Sequence, residues 1–294
     1  MIELDAISQI GLGTSRAASL GRRLNAMQFE RLSLLMEGAG QNLIDTSDFY
    51  GSGDAERLVG KSIAKRREKF FIVTKAGLPV VHLPGFLSPA NQVAKKIKQR
   101  LSGKPDFSRN NLMKRLELSL RRLGVDAVDA FLLHEPDNGD LTDDSWKALG
   151  QIRERGWARY TGISTNDVQA VRRGLESGEV QVVQTFAAWG RPSTDEIPAL
   201  CRVAGIPLML NRVLDPMLDL RESYSTREAK IGKIPGLEGM SCVQFLMAAA
   251  LVEKRADTVL TGTLKEDHLE HNLRALDYVE PLARHWEEVR TLLS

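Results

Sequence analysis

Short apolar runs rich in Ile, Val and Leu alternate along this chain with longer amphipathic stretches. Runs at 9–15 (QIGLGTS), 42–47 (NLIDTS), 70–77 (FFIVTKAG) and 127–134 (AVDAFLLH) predict strands. So do 158–165 (ARYTGIST), 180–186 (VQVVQTF), 206–213 (IPLMLNRV) and 257–263 (DTVLTGT). Helical spacing fills the gaps at 27–40, 54–66, 108–124, 142–156, 166–178, 194–204, 241–252 and 265–276, with a terminal helix at 281–293. Asp54 and Ser108 stand where N-caps are needed, and Gly124 stands where the third helix must stop.

Strands alternating with helices predict a parallel sheet covered by helices, because a parallel crossover needs a helix to bridge it. Repeated eight times over 1–294, the pattern predicts an α/β fold: one (β/α)8 barrel domain. A doubly wound open sheet would carry a GxGxxG turn after its first strand. Here Gly11 and Gly13 are followed by Arg16 in place of the third glycine. One connection is out of scale, a long insertion at about 78–107. It contains a basic helical pattern at 90–103 with Lys95, Lys96, Lys98 and Arg100. An excursion after a barrel strand lies at the catalytic end, so it predicts either a lid or substrate wall, or a solvated surface helix.

The 40 basic and 38 acidic residues leave a formal charge of +2, which gives no electrostatic reason to expect nucleic acid or a membrane surface as partner. Cys201 and Cys242 lie far apart in no CxxC pattern and read as buried thiols of a reducing compartment. No basic-then-apolar leader opens the chain, and its most apolar stretch, 242–252, is too short to span a bilayer. A cytoplasmic monomer or small homo-oligomer is the expectation.

The polar residues at the strand ends change the picture most. Asp45 ends LID, Lys75 ends IVTK and His134 ends FLLH, while Tyr50 stands on the loop just past Asp45. In a barrel all four reach one rim, the end where this architecture builds its active sites. Separately, each has a plain structural reading as a cap, a rim cation, a packed ring or a core histidine. Together they form a compatible set of acid, cation and hydrogen-bond donors.

The blocks DTSDFYGSGDAERLVGKSI, FFIVTKAG, LLHEPD, YTGIST, VVQTF and TVLTGTLKEDHLEHNL occur in this order from about residue 9 to about 276. In that order they resemble the aldo-keto reductase family. The resemblance implies an NAD(P)H-dependent reductase of aldehydes or ketones, a small-molecule carbonyl as partner, and no metal. Carbonyl reduction needs a hydride at carbon and a proton at oxygen, and the protein handles the proton. Tyr50 is the expected general acid. A phenol titrates near pH ~10, so Lys75 is expected to lower it, with Asp45 holding Lys75 charged. His134 is expected to donate a hydrogen bond to the carbonyl oxygen. Phe49, Leu78 and Trp189 flank the strand ends and read equally as pocket walls or as core or rim packing.

For the dinucleotide, the resemblance implies Ser164 and Gln184 at the nicotinamide carboxamide. Thr165 stands where the family usually has an amide, and Asn166 follows it. Ser164 also has a simpler reading as a helix cap. Asn211 falls where the family often has a stacking tyrosine, and Arg212 beside it suits a phosphate. Thr263 and Asn272 match the family's nucleotide site, whereas Gly262 and His268 stand in place of its two usual cations. Lys265 is the compensating cation for a 2′-phosphate. By the family's habit the resemblance implies NADPH as cofactor, with NADH the alternative. Two other functions compete: a nucleotide-binding regulatory subunit with little turnover, and a metal-dependent barrel hydrolase. The second needs several histidines at strand ends, yet His82, His268, His271 and His285 fall in loops or helices.

Overall fold

The computed structural model describes residues 7–18, 24–80, 103–254 and 256–293. Eight parallel strands close into a barrel in sequence order: β1 (Ile10–Gly13), β2 (Leu43–Asp45), β3 (Phe71–Ala76), β4 (Val128–His134), β5 (Ala158–Ser164), β6 (Val182–Phe186), β7 (Leu208–Asn211) and β8 (Thr258–Thr261). β8 pairs back onto β1, so no strand keeps an unpaired edge. Outside lie α1 (Ala26–Gly38), α2 (Asp54–Ile63), α3 (Arg109–Leu123), α4 (Asp143–Glu154), α5 (Val168–Glu176), α6 (Glu196–Ala204), α7 (Met217–Ile231), α8 (Cys242–Val252), α9 (Glu266–Leu273), α10 (Val279–Arg284) and α11 (Trp286–Leu293).

The strand pattern sorts the side chains into two layers. Ile44, Ile72, Phe131, Leu133, Ile163, Val183 and Leu210 point outward into the main core beneath the helices. Leu43, Val73, Leu132, Val182 and Met209 belong to a separate apolar cluster that fills the barrel. Because side chains alternate, the next inward position on each of these five strands is two residues on. Those positions are Asp45, Lys75, His134, Gln184 and Asn211. The polar ring is thus the top layer of the barrel filling, set on an apolar floor. On β5 the equivalent step runs from Gly162 to Ser164. Gly162 is required there, since a Cβ would lie 2.0 Å from the Val182 carbonyl oxygen. That close approach sets Ser164 level with His134 on one side and Gln184 on the other.

Several local expectations need revision. Gly53, at φ 88°, occupies the cap position of α2, and Asp54 is its first helical residue. Ser108 sits at the start of α3 with extended backbone, but its hydroxyl makes no capping bond. The expected terminal helix is two short helices, α10 and α11, separated at His285. α7 is an addition, a helix the sequence pattern did not predict, and it packs with α8 and α11 around Tyr224 and Phe245. Cys201 is buried and Cys242 only half-buried, and both are free thiols. The helix expected at 90–103 lies outside the described residues except for Gly103. Where the long excursion returns, the Asp106 amide donates to the Gly77 carbonyl at 2.9 Å and Phe107 is buried.

Candidate active site

Lys75 is the hub of the rim. Its side chain is 0% exposed, and burying an ammonium is costly unless every N–H finds a partner. All three do: Asp45 Oδ1 at 2.6 Å, the Thr46 carbonyl at 3.1 Å and the Tyr50 hydroxyl at 3.4 Å. Burial pushes the Lys75 pKa down, but Asp45 and Tyr50 outweigh it, so the net direction is up and the amine stays charged. Asp45 is held from its other side by the Gln184 amide, which donates at 2.9 Å, while Ser164 Oγ lies 2.8 Å from Gln184 Oε1. A continuous polar chain therefore runs from Ser164 through Gln184, Asp45 and Lys75 to Tyr50. Their expected roles divide them between catalysis and cofactor binding.

Tyr50 is delivered by a turn. Gly51 and Ser52 follow it with φ of 60° and 58°, and a Cβ on Gly51 would lie 2.8 Å from that of Ala18. The phenol stands edge-on to His134, with ring centroids 5.6 Å apart, and Lys75 Nζ lies 5.1 Å from the phenol's ring centre. The expected acidification is not what the site produces. Burial raises the Tyr50 pKa above 10.0, Lys75 opposes this, and Asp45 cancels part of the Lys75 field. The phenol is therefore protonated throughout the neutral range.

His134 is neutral as well. Burial, then the charges of Lys75 and Arg115, hold its pKa well below 6.5. Its Nδ1 lies 2.9 Å from Ser47 Oγ. Phe49 stands edge-on to the same ring, with centroids 5.9 Å apart. Leu78 is half-buried, and its carbonyl accepts from Arg115 Nη1 at 3.0 Å. Trp189 packs away from this group, edge-on to Phe245 in the cluster formed by α7, α8 and α11.

Ser47, Asp48 and Arg115 escaped sequence reasoning. Ser47 and Asp48 belong to the segment that carries Tyr50, and Arg115 reaches in from α3 to pair with Asp48. The signal for the first two was the run of short polar residues directly after a buried strand. For Arg115 the spacing of α3 gave none. Burial, opposed by Arg115, pushes the Asp48 carboxyl from 3.8 up to about 6. Folded Asp48 thus binds its proton more tightly than the unfolded chain does. Its contribution to stability is largest below about pH 4 and is lost as the pH rises through 6. Asp48→Asn should therefore flatten the fall in stability across that window, by roughly 3 kcal/mol relative to the parent. Thermal unfolding of both proteins from pH 4 to 7 measures it, and parallel profiles would contradict it.

The other expected residues lie at or just past the ends of β5, β7 and β8 and on α9. Thr165 Oγ1 donates to the Pro136 carbonyl at 2.7 Å and accepts from the Asp167 amide. Asp167, not Ser164, caps α5. Asn211 is half-buried. Arg212 is exposed, lies 4.8 Å over the Phe186 ring and pairs with Asp215. Gly262 and Thr263 are half-buried, while Lys265 and His268 are exposed. The Asn272 amide is buried and donates to Thr261 Oγ1 at 2.7 Å, tying α9 to β8. Among the described residues, three that are not glycine adopt positive φ: Ser52, Glu135 and Arg212. Each directly follows or closely trails a rim residue, namely Tyr50, His134 or Asn211, and such strain collects at functional sites. No group of three His, Cys, Asp or Glu that could hold a metal is gathered among the described residues. Nor is any of their helices long and apolar enough to cross a membrane.

Residues 9–291 match the sequence profile of the Aldo/keto reductase family. The chain belongs to that family. It is 28% identical over 172 residues to "Probable aldo-keto reductase 1" of Glycine max, a match covering 58% of this chain and 45% of that protein. It is 25% identical over 266 residues to the "NADH-specific methylglyoxal reductase" of Escherichia coli (strain K12), covering 81% of this chain and 79% of that one. Among solved structures, an aldo-keto reductase from Klebsiella pneumoniae in complex with NADPH superposes with a TM-score of 0.68 at 22% identity. That superposition covers 97% of this chain and 90% of that one. This likeness is one of fold.

Proposed function

We propose that this chain is an NAD(P)H-dependent reductase of a small aldehyde or ketone in which Tyr50 delivers the proton to the carbonyl oxygen. The observation that carries this reading is the contact of a buried, fully satisfied ammonium with a protonated phenol: Lys75 Nζ to Tyr50 Oη, 3.4 Å. A proton donor must hold its proton at the working pH, and the buried phenol does. Lys75 acts after that. As the proton leaves, negative charge grows on the phenolic oxygen, and a fixed cation beside it lowers the energy of that charge with no reorganisation. Asp45 keeps Lys75 charged and in place. His134, neutral and edge-on to the phenol, supplies a second donor for the carbonyl oxygen and fixes its orientation. Phe49 borders the substrate's position.

The rim's donor set suits a nicotinamide dinucleotide. The hydroxyl of Ser164 and the amide of Gln184 would hold its carboxamide, with Thr165 and Asn211 beside them. The guanidinium of Arg212 and the ammonium of Lys265 would hold its phosphates, flanked by Gly262, Thr263, His268 and Asn272. When bound, the dinucleotide supplies the hydride.

NADPH is the preferred form on this reading, with Lys265 as the cation for its 2′-phosphate. One observation favours NADH: Glu266 and Asp267 form the first turn of α9, next to Lys265, and would repel that phosphate. Fluorescence titration with both nucleotides decides between them. Lys265→Ala should weaken NADPH about tenfold and leave NADH unchanged, in line with the loss of one charge-assisted hydrogen bond. Equal weakening of both would remove Lys265 from the 2′-phosphate. A carbonyl screen with each reduced nucleotide then tests turnover, and its absence across a broad aldehyde and ketone panel would favour a regulatory subunit.

A further inference from the structure

Ser47 is a buried hydroxyl that the reaction scheme above does not use. It has one proton and three neighbours. The Phe49 amide donates to its oxygen at 3.0 Å, the Lys75 carbonyl lies at 3.2 Å, and His134 Nδ1 lies at 2.9 Å. Two arrangements satisfy these contacts. In one, the hydroxyl donates to Nδ1, so the neutral imidazole carries its hydrogen on Nε2. In the other, Nδ1–H donates to Ser47, the hydroxyl turns to the Lys75 carbonyl, and Nε2 is a bare acceptor.

One feature separates them. The Lys75 carbonyl already accepts the Asp48 amide at 3.2 Å, so it does not need the hydroxyl, whose single proton is then available to Nδ1 at 2.9 Å. With the Phe49 amide donating to Ser47, this arrangement gives the hydroxyl one bond accepted and one donated, and it gives Nδ1 a donor. We infer that Ser47 is a positioning residue which, by donating to Nδ1, selects the tautomer of His134 whose Nε2–H points a donor at the carbonyl oxygen. This rests on the reading of His134 as the substrate's second hydrogen-bond donor. It adds a requirement to that reading: a neutral imidazole can donate from one nitrogen only, so the side chain that holds the other nitrogen decides whether the site can grip a carbonyl at all.

The test labels histidine with nitrogen-15 and assigns His134 by its loss in His134→Gln. Long-range proton–nitrogen correlation spectra then read which ring nitrogen carries the hydrogen. The parent should show the Nε2–H form. Ser47→Ala should mix in the Nδ1–H form and lower kcat about tenfold, the size of one misdirected hydrogen bond, with the dissociation constant of the nucleotide unchanged. Ser47→Thr, which keeps the hydroxyl, should retain the parent's spectrum. An Nδ1–H form in the parent, or a spectrum unaltered in Ser47→Ala, overturns the inference. A changed tautomer with undiminished turnover instead overturns the assignment of His134 to the carbonyl, which separates the two failures.

Discussion

Lys75→Met should lower the turnover number by about 10²–10³, the loss typical of removing one preorganised group that faces developing negative charge. It should also destabilise the fold by about 3–5 kcal/mol, because the Asp45 carboxylate is left buried without its counter-ion. The Asp45 side chain is only 5% exposed, and the Gln184 amide alone cannot replace an ammonium 2.6 Å away. The two losses have different origins, so a second substitution parts them. In the double variant Asp45→Asn, Lys75→Met the orphaned charge is gone and much of the stability should return, while turnover stays low. Denaturant unfolding and steady-state kinetics on the parent and the variants measure both. Turnover that returns together with stability would show that Lys75 only holds the site together.

The second large effect is expected of Tyr50→Phe. Removing the hydroxyl takes away the proton donor, and general acid catalysis by one side chain is worth about 10²–10⁴ in rate. The rest of the site should survive. Phenylalanine keeps the ring that stands edge-on to His134, and Lys75 loses the longest of its three contacts while keeping Asp45 and the Thr46 carbonyl. The cost in stability is then about 1 kcal/mol, that of one hydrogen bond. Nucleotide affinity should not move, because the hydroxyls, amides and cations proposed to bind it lie elsewhere on the rim.

How far these residues could be read from sequence follows from the geometry of a strand. Asp45, Lys75 and His134 were legible because each continues the period-two pattern of an inward apolar residue on its own strand. The apolar run locates the strand, and the first polar residue on its inner face marks the rim. The eight strands themselves were legible as short apolar runs between amphipathic stretches. α7 was not: its buried residues are only Leu220, Tyr224 and Ile231, and the charged residues among them dilute any helical period. The terminal break at His285 carries no glycine or proline that would announce it.

Ser47, Asp48 and Arg115 show where sequence reading ends. They work through contacts of the turn after β2 with β3, β4 and α3, and those contacts exist only once the barrel has closed. The sign of the Tyr50 shift is similar. A phenol near an ammonium reads as acidified, but the same ammonium is matched by Asp45, and the surrounding protein removes water from the phenol. Which contribution prevails depends on burial, a property of the whole fold.

The most direct test of the account is the single-turnover rate of hydride transfer in Tyr50→Phe, followed by loss of the reduced nicotinamide absorbance with enzyme and nucleotide premixed. The account predicts a rate about 10²–10⁴ below that of the parent at saturating carbonyl, with an unchanged dissociation constant for the nucleotide. A parent-like rate would contradict it and assign the proton to another donor.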